Sequence, residues 1–339
     1  MSSLMREETL QVPAVVAQAL AQDEAAYAAL GGALRDVPPR GVLTLARGSS
    51  DHAAHYAAYL VMARLGRLVT SLPMSLITLY GARLHTAGLV SLTFSQSGQS
   101  PDLVEPTREL RARGAVTVAF VNDARSPLAQ AVQWLLPLHA GAERSVAATK
   151  SYVAQLLAGA RMVAAWQGDA ALAAALRSLP AALAQALTHE RAWCDAALPV
   201  LQGAERLYVI GRGTGLAVAL EAALKFKEVC GLQAEALSGA ELRHGPLALV
   251  EPGFPVMVFA PRGPAQAGLL ALADELRTRG AQVLLAAPDA ALPLVSTGEP
   301  DLDPIAAIVP FYAMVEALAR ARGRNPDQPP HLAKVTLTR

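Results

Sequence analysis

Short apolar runs alternate with longer segments of helical periodicity along this chain. Mostly apolar runs occupy positions 41–46 and 90–94, and each run is followed by a segment with glycine and small polar residues. The segments that follow, at about 51–64 and 101–113, place apolar residues at helical spacing. This alternation predicts strands connected by helices, which is typical of a parallel sheet with helices on both faces. Residues 1–35 are expected to form a helical lead-in.

The same plan occurs twice. The segment "RLYVIGRGT" repeats "GVLTLARGSS", and "RTRGAQVLLAAPD" repeats "RARGAVTVAFVND". Gly48 and Gly213 are 165 residues apart, and so are Phe94 and Phe259. We therefore predict a duplicated α/β unit, in which each copy is a three-layer αβα domain around a parallel sheet.

The repeat also sets the predicted domain boundaries. A length of 339 residues agrees with about two domains of roughly 150 residues each. We expect a lead-in at 1–35, a first domain at 36–170, an Ala-rich helical linker at 171–198, a second domain at 199–322 and a tail at 323–339 that closes the active site.

Composition and charge narrow the class of protein. The sequence is 53% hydrophobic and 17% charged, with a formal net charge of +1, so neither nucleic acid nor a membrane is expected as a partner. The two cysteines, Cys194 and Cys230, form no disulfide or metal-binding pattern, and no metal or other cofactor is expected. The N-terminus shows no signal peptide and the apolar runs are broken short of a membrane span, which predicts a cytoplasmic protein.

The apolar run at 90–94 ends in a cluster of hydroxyl side chains around a glycine, "SQSGQS", immediately before a predicted helix. In parallel sheets, ligands bind beyond the carboxyl ends of the strands. Backbone N–H groups at a helix start favour an anion, serine hydroxyls add donors, and Gly98 permits close approach. The cluster lacks the lysine of a P-loop, which favours a phosphate monoester that is bound rather than transferred.

An ordinary turn with a helix cap would use the same residue types. The corresponding loop of the second copy, "APRGPAQ", contains no hydroxyls, so the fold itself does not require them. We therefore expect one phosphate site for each pair of units.

Several motifs resemble the double sugar-isomerase (SIS) domain family. They are "RGSSDHAAHY", "SQSGQSPD", "ERSVAATKSY", "LEAALKFKEVCGLQAEALSGAELRHGP" and the C-terminal "HLAKVTLTR". The resemblance covers nearly the whole chain, and the isomerase half of glucosamine-6-phosphate synthase is similar to it. It implies two tandem SIS domains that act on a sugar phosphate as an isomerase or deaminase.

The resemblance leaves a choice of reaction. The synthase begins with a glutaminase domain that carries a catalytic cysteine, whereas this sequence has no cysteine before Cys194. The expected activity is therefore that of a glucosamine-6-phosphate deaminase, which forms fructose 6-phosphate and ammonia. A deglycase of fructosamine-type phosphates and a galactosamine-6-phosphate deaminase are alternatives on the same scaffold. A non-catalytic sugar-phosphate sensor is a further hypothesis.

By this resemblance, the serine cluster and the preceding strand end hold the sugar phosphate. The expected phosphate-binding and substrate-binding residues are Ser49, Ser50, Ser95, Gln96, Ser97, Ser100, Val146 and Ala147, the last two through their backbone. Ala148 stands where the synthase has a serine, so one sugar hydroxyl contact is expected to be missing.

The resemblance also assigns four catalytic residues. Glu228 matches the base that moves a proton between adjacent carbons, and Lys225, three residues earlier, would orient it or steady negative charge. His244 matches the group that opens the sugar ring. Lys334 matches a tail lysine near the sugar carbonyl, which it would bind directly or through a Schiff base.

Each of these residues also has an ordinary structural interpretation. Glu221, Lys225 and Glu228 could form a solvated salt-bridge stripe on one helix face. His244 could be a loop residue bonded to backbone, and Lys334 could be a solvated tail lysine. In the family the histidine reaches the site of the neighbouring subunit, so the resemblance implies a homodimer with a shared active site.

Overall fold

The computed structural model describes residues 2–334 as two compact units, each containing one sheet. The N-terminal unit consists of Ala14–Glu143 and Lys150–Arg177, together with the last two described residues. The C-terminal unit consists of the described chain before Ala14, Arg144–Thr149 and Ser178–Leu332. Met1 and residues 335–339, which include the end of the predicted tail, lie outside the described residues.

Helices and strands alternate along the described chain. The helices are α1 (Leu4–Leu10), α2 (Val12–Leu20), α3 (Glu24–Asp36), α4 (Ser49–Leu65), α5 (Ser75–Thr78), α6 (Pro101–Ala112), α7 (Pro127–Ala131), α8 (Lys150–Gln167), α9 (Ala170–Leu187), α10 (Glu190–Leu201), α11 (Gly215–Cys230), α12 (Gln266–Thr278) and α13 (Asp303–Ala321). The strands are β1 (Gly41–Leu45), β2 (Val69–Ser71), β3 (Leu89–Ser95), β4 (Val116–Val121), β5 (Trp134–Pro137), β6 (Arg206–Gly211), β7 (Gln233–Ser238), β8 (Pro255–Phe259), β9 (Gln282–Ala287) and β10 (Leu292–Pro293). Short 3₁₀ helices at Glu241–His244 and Pro246–Leu249 precede β8.

Both sheets are parallel and share one strand order. The N-terminal sheet runs β2-β1-β3-β4-β5, and the C-terminal sheet runs β7-β6-β8-β9-β10. Since β6 is the counterpart of β1, every strand occupies the same place in its own sheet. The fold confirms the predicted α/β class and the predicted duplication into two three-layer αβα halves.

Strand β3 lies inside the N-terminal sheet and is buried on both faces. Val90, Leu92 and Phe94 are fully buried, and so are Ser91 and Thr93 on the opposite face. Crossovers between parallel strands are right-handed, so the helices that follow β1 and β3 cover opposite faces, because the strand order reverses between these strands. Cover on both faces explains why the strand is buried along its length although Ser91 and Thr93 alternate with its apolar residues.

The apolar pattern does not reveal the shortest edge strands. Strand β2 has three residues and β10 has two. A segment of that length contains too few positions for any periodicity to show. These strands form because each pairs with a longer parallel neighbour, β1 or β9, which supplies the hydrogen-bonding partners.

Two described helices, α9 and α13, are long and apolar enough by length and composition to cross a membrane. Of the α13 window, 83% is buried inside the protein, where the helix packs against α10 and α11. Helix α9 is 28% buried and contains Arg177 and Pro180. The apolar composition of α13 is therefore explained by its position in the core of the C-terminal unit.

Gly31 marks a close approach of α3 to α8. A Cβ atom at Gly31 would lie 2.4 Å from the carbonyl oxygen of Ala165, whereas one at Gly32 would come no closer than 4.0 Å to another residue. Gly31→Ala should force the helices apart and lower the free energy of unfolding by about 1–3 kcal/mol. Gly32→Ala, the control, should raise it by roughly 0.5–1 kcal/mol through helix propensity. Denaturant unfolding measures both, and equal effects would contradict this packing.

Candidate functional site

The strand order of the N-terminal sheet reverses between β1 and β3, and this reversal leaves a crevice at the carboxyl ends of the two strands. Residues 46–50 follow β1, and residues 96–100 follow β3. Leu45 pairs with Thr93, so both strands end at the same edge of the sheet. The predicted phosphate-binding residues of this unit, Ser49, Ser50, Ser95, Gln96, Ser97 and Ser100, are therefore brought to one crevice.

The serine loop is shaped by its own hydrogen bonds. Ser95 Oγ accepts the N–H of Gly98 at 2.9 Å, and Ser97 Oγ accepts the N–H of Gln99 at 3.3 Å. The carbonyl of Gly98 accepts the N–H of Leu128 at 3.2 Å, which ties the loop to α7. Each serine uses an oxygen lone pair in these bonds and keeps its O–H as a donor.

The predicted phosphate-binding side chains of the crevice differ in their exposure to solvent. Ser95 is 5% exposed and Ser50 is 9% exposed, while Ser49, Gln96, Ser97 and Ser100 are half-buried. Helix α6 begins at Pro101, immediately after the loop, so the N-terminal end of its dipole is directed at the loop. The serine loop and α6 thus offer an anion neutral donors and a partial positive charge.

At the matching place in the C-terminal unit, Pro261 lies close to the start of α11 and Arg262 is already paired. A Cβ atom on Gly215 would lie 3.3 Å from Pro261 Cγ, so the two loops already touch. Arg262 donates to the buried carboxylate of Asp303 through Nε at 2.8 Å and Nη2 at 3.2 Å. This arrangement is the one expected if only the N-terminal crevice holds a phosphate.

Helix α11 of the C-terminal unit carries the predicted base and the predicted lysine. Lys225 is fully buried, and its Nζ lies 3.3 Å from Glu221 Oε1 and 2.5 Å from Glu228 Oε2. From α13, the Tyr312 hydroxyl donates to Glu221 Oε1 at 3.2 Å. Burial of Glu221 and Lys225 excludes a solvated salt-bridge stripe.

Burial and two neighbouring carboxylates act in opposite directions on the pKa of Lys225. Burial lowers the pKa of Lys225, but the attraction of Glu221 and Glu228 outweighs burial, and the pKa is raised above its ordinary value. Lys225 therefore stays an ammonium group and cannot act as an amine nucleophile. The Glu228 side chain is 21% exposed and that of Glu221 is fully buried, so Glu228 is the carboxylate that a ligand can reach.

His244 ends the 3₁₀ helix Glu241–His244 and is exposed. The next residue, Gly245, has φ +138°, a conformation that L side chains rarely adopt, and a Cβ atom there would meet nothing within 4 Å. The backbone conformation alone therefore calls for glycine after the histidine. The predicted homodimer, in which this histidine would serve a neighbouring subunit, stays a prediction.

Lys334 contacts a buried carboxylate that the sequence analysis does not single out. Its Nζ donates to Glu143 Oε2 at 2.8 Å, and the Glu143 side chain is fully buried. Glu143 also accepts the N–H of Ser151 at 3.1 Å and its hydroxyl at 2.6 Å. Lys334 is therefore docked rather than solvated. The signal in the sequence is that Glu143 opens the motif "ERSVAATKSY".

Val146 and Ala147 lie in the part of the chain that belongs to the C-terminal unit. The Val146 N–H donates to the carbonyl of Asp327 at 3.3 Å, and Ala147 is 1% exposed. The Glu8 carboxylate accepts the N–H of the preceding residue, Ser145, at 3.3 Å. The Val146 N–H is therefore already used within the C-terminal unit.

The conformation of the serine loop depends on Gly98. Gly98 has φ +64°, and a Cβ atom there would lie 2.2 Å from Ser126 Oγ. Gly98→Ala should lower the free energy of unfolding by about 2–4 kcal/mol and weaken binding of a sugar phosphate. Gly66 is the matched control, since it has φ +62° with open space around it, and Gly66→Ala should cost about 1 kcal/mol. Denaturant unfolding and ligand titration measure both; a harmless Gly98→Ala would contradict the loop geometry.

Lys225 should be needed for folding stability because it compensates a buried carboxylate. Lys225→Met leaves Glu221 buried without its cation and should lower the free energy of unfolding by about 3–5 kcal/mol. The double variant Lys225→Met with Glu221→Leu should recover most of this loss. The raised pKa of Lys225 means that its stabilisation is present below its ordinary value of 10.5. The loss measured by denaturant unfolding should therefore be equal at pH 7 and pH 9, and a loss that disappears by pH 9 would contradict this pairing.

Comparison with known proteins agrees with this geometry. The family model described as SIS domain matches residues 38–165 and 200–295. A glutamine–fructose-6-phosphate aminotransferase (isomerizing) from Aeropyrum pernix is 37% identical over 276 residues, which are 74% of this chain and 44% of that protein. The chain spans about half the length of the curated relatives that it matches.

Solved structures show the same fold. A candidate phosphosugar isomerase from Silicibacter pomeroyi DSS-3 is 42% identical, with a TM-score of 0.90 over 96% of this chain and 100% of that chain. Glucosamine-6-phosphate deaminase from Thermotoga maritima is 22% identical, with a TM-score of 0.84 over 99% of this chain and 100% of that chain, a likeness of fold alone. The match of the family model in both halves, with the duplicated parallel sheets and the motifs at their strand ends, shows that this chain belongs to the SIS domain family.

Proposed function

We propose that this protein is an amino-sugar-phosphate isomerase and deaminase that converts glucosamine 6-phosphate and water to fructose 6-phosphate and ammonia. The observation that carries the proposal is the state of Glu228, a carboxylate that is partly exposed and held by a buried ammonium group. Two similar proteins carry the names glutamine–fructose-6-phosphate aminotransferase and glucosamine-6-phosphate deaminase, so the two sugar phosphates of the proposed reaction appear among the relatives.

The proposed reaction has three balanced steps. The pyranose ring opens, which frees an aldehyde at C1 beside the amine-bearing C2. A base removes the proton from C2 and returns it to C1, while the nitrogen loses a proton and O1 gains one, so the aldehyde becomes a hydroxymethyl group and the C2 amine becomes an imine. Water then adds to the imine carbon, and the C2–N bond breaks, which releases ammonia and leaves the C2 ketone. Only proton transfers are needed from the protein, which general acid–base side chains can supply.

Glu228 is the base of the second step in this proposal. The ammonium group of Lys225, 2.5 Å from Glu228 Oε2, holds this carboxylate in place. His244 is the exposed acid–base group for ring opening, since an imidazole ring can both donate and accept a proton. Lys334 is the group for the open-chain carbonyl, and its bond to Glu143 keeps it docked before a ligand arrives.

Neither described cysteine is suited to act as a nucleophile in the proposed reaction. Desolvation raises the pKa of Cys194 to about 11 and that of Cys230 to about 12, so both thiols stay protonated at neutral pH. Among residues 2–334, no group of three His, Cys, Asp or Glu side chains is placed to hold a metal ion.

The proposal includes a cytoplasmic homodimer. His244 is exposed on its own subunit, as expected of a residue that completes the site of a neighbour. The apolar helix α13 is accounted for by burial within its own unit, so its composition does not call for a membrane. Mass measurement of the purified protein in solution tests the dimer.

The central test is turnover of glucosamine 6-phosphate with ammonia and fructose 6-phosphate measured together. The wild type should release both in equal amounts. Glu228→Gln should bind substrate but lose about two to four orders of magnitude in kcat, because it removes the base. Glu235→Gln, an exposed glutamate on β7 of the same unit, is the matched control and should keep full activity. Full activity in Glu228→Gln would show that another group is the base.

A substrate panel separates the alternatives. Ammonia from galactosamine 6-phosphate alone would assign the other epimer, a change that Ala148 could permit by leaving out one hydroxyl contact. Turnover of a fructosamine-type phosphate without ammonia from either amino sugar would assign a deglycase. Ligand-induced stabilisation without any product would assign a sensor and overturn the proposed activity.

A further inference from the structure

The two loops of the N-terminal crevice contain one basic residue, Arg47. It lies in the loop after β1, at residues 46–50, whereas the loop after β3, at residues 96–100, holds only neutral side chains. The Arg47 side chain is 56% exposed, so solvent and ligands can reach it. A cation is thus present at the crevice although the serine loop itself has none.

A buried carboxylate holds this arginine in place. Arg47 Nε donates to Asp102 Oδ2 at 3.0 Å, and Asp102 is 2% exposed. Asp102 is the second residue of α6, two positions after Ser100. The bond therefore joins the loop after β1 to the start of the helix after β3. It fixes the guanidinium at the carboxyl ends of the two strands.

The bond to Asp102 leaves most of the guanidinium available. Arginine has five N–H donors in a planar fork, and Nε uses one of them here. The bond to Asp102 uses none of the four Nη donors. Such a fork matches the oxygens of a phosphate with two parallel bonds, which a serine hydroxyl cannot do.

Acidic residues around Arg47 make its positive charge more important for the binding of an anion. Asp102 is in direct contact, and Asp51 lies in the first turn of α4, after Ser50. Burial raises the pKa of Asp51, and attraction by His52, His55 and Arg47 opposes this rise. Without Arg47, a phosphate bound by the serines would approach these two carboxylates with less compensating positive charge.

We propose that Arg47 is a phosphate-binding residue of this crevice: its Nη groups hold the phosphate dianion of a sugar 6-phosphate together with the hydroxyls of the serine loop. The proposal rests on the proposed function and extends it to selection of the phosphorylated sugar over the neutral one. The bond to Asp102 positions the fork, and the serines supply the neutral donors.

Isothermal titration with glucitol 6-phosphate tests this role, because this open-chain ligand carries the phosphate but has no carbonyl to react. Loss of a charged hydrogen bond predicts that Arg47→Gln binds about tenfold to a hundredfold more weakly than the wild type. Arg47→Lys keeps the charge without the fork and should recover part of the loss. Arg212→Gln changes the exposed arginine at the matching position of the second copy, which lacks the serine loop, and should bind as the wild type does.

The outcomes separate this inference from the proposed activity. Unchanged binding by Arg47→Gln, or equal loss in Arg212→Gln, would overturn the role of Arg47 even if the wild type deaminates its substrate. Tight binding by the wild type with loss in Arg47→Gln would support it even if no ammonia is released. A wild type that does not bind glucitol 6-phosphate would overturn both the phosphate crevice and the role of Arg47. Thermal unfolding of each variant checks that it is folded.

Discussion

The reversal of strand order between β1 and β3 is the constraint on which this account depends. The loops after β1 and β3 are about fifty residues apart in the sequence, yet they lie together at one edge of the sheet. No neighbouring strand covers either loop there. The serine loop, the start of α6 and Arg47 then converge because the fold brings them there. The second copy keeps the same strand order but has "APRGPAQ" in place of the serine loop, so the topology permits a ligand site and the side chains decide what it can bind.

The charges buried in the C-terminal unit have a separate function. Lys225 lies between Glu221 and Glu228, and Tyr312 supplies a hydrogen bond to Glu221, so each member of the group has a partner. Burying such a group is costly unless its members are paired. The pairing leaves one carboxylate, that of Glu228, at the surface of the cluster. A general base needs this combination of ionisation and access.

The sequence predicts those parts of the molecule that local pattern determines. The long strands, the duplication and the serine loop follow from apolar periodicity and glycine placement, and the structure agrees with them. Long-range pairings could not be predicted in this way. Glu143 with Lys334 and Arg47 with Asp102 join residues that only the folded chain brings together. For the same reason, helix spacing alone could not decide whether Lys225 belongs to a solvated salt-bridge stripe. The burial of Lys225 on α11, which packs against α13, excludes that interpretation.

The claim that a single crevice, that of the N-terminal unit, receives the phosphate is tested most directly by amide hydrogen exchange with and without glucitol 6-phosphate. The account predicts slower exchange at residues 46–50 and 95–100 when the ligand is bound. It predicts no change at the matching loops of the C-terminal unit, residues 212–215 and 260–264. Slower exchange confined to those matching loops, or no slowing at residues 95–100 under saturating ligand, would contradict it.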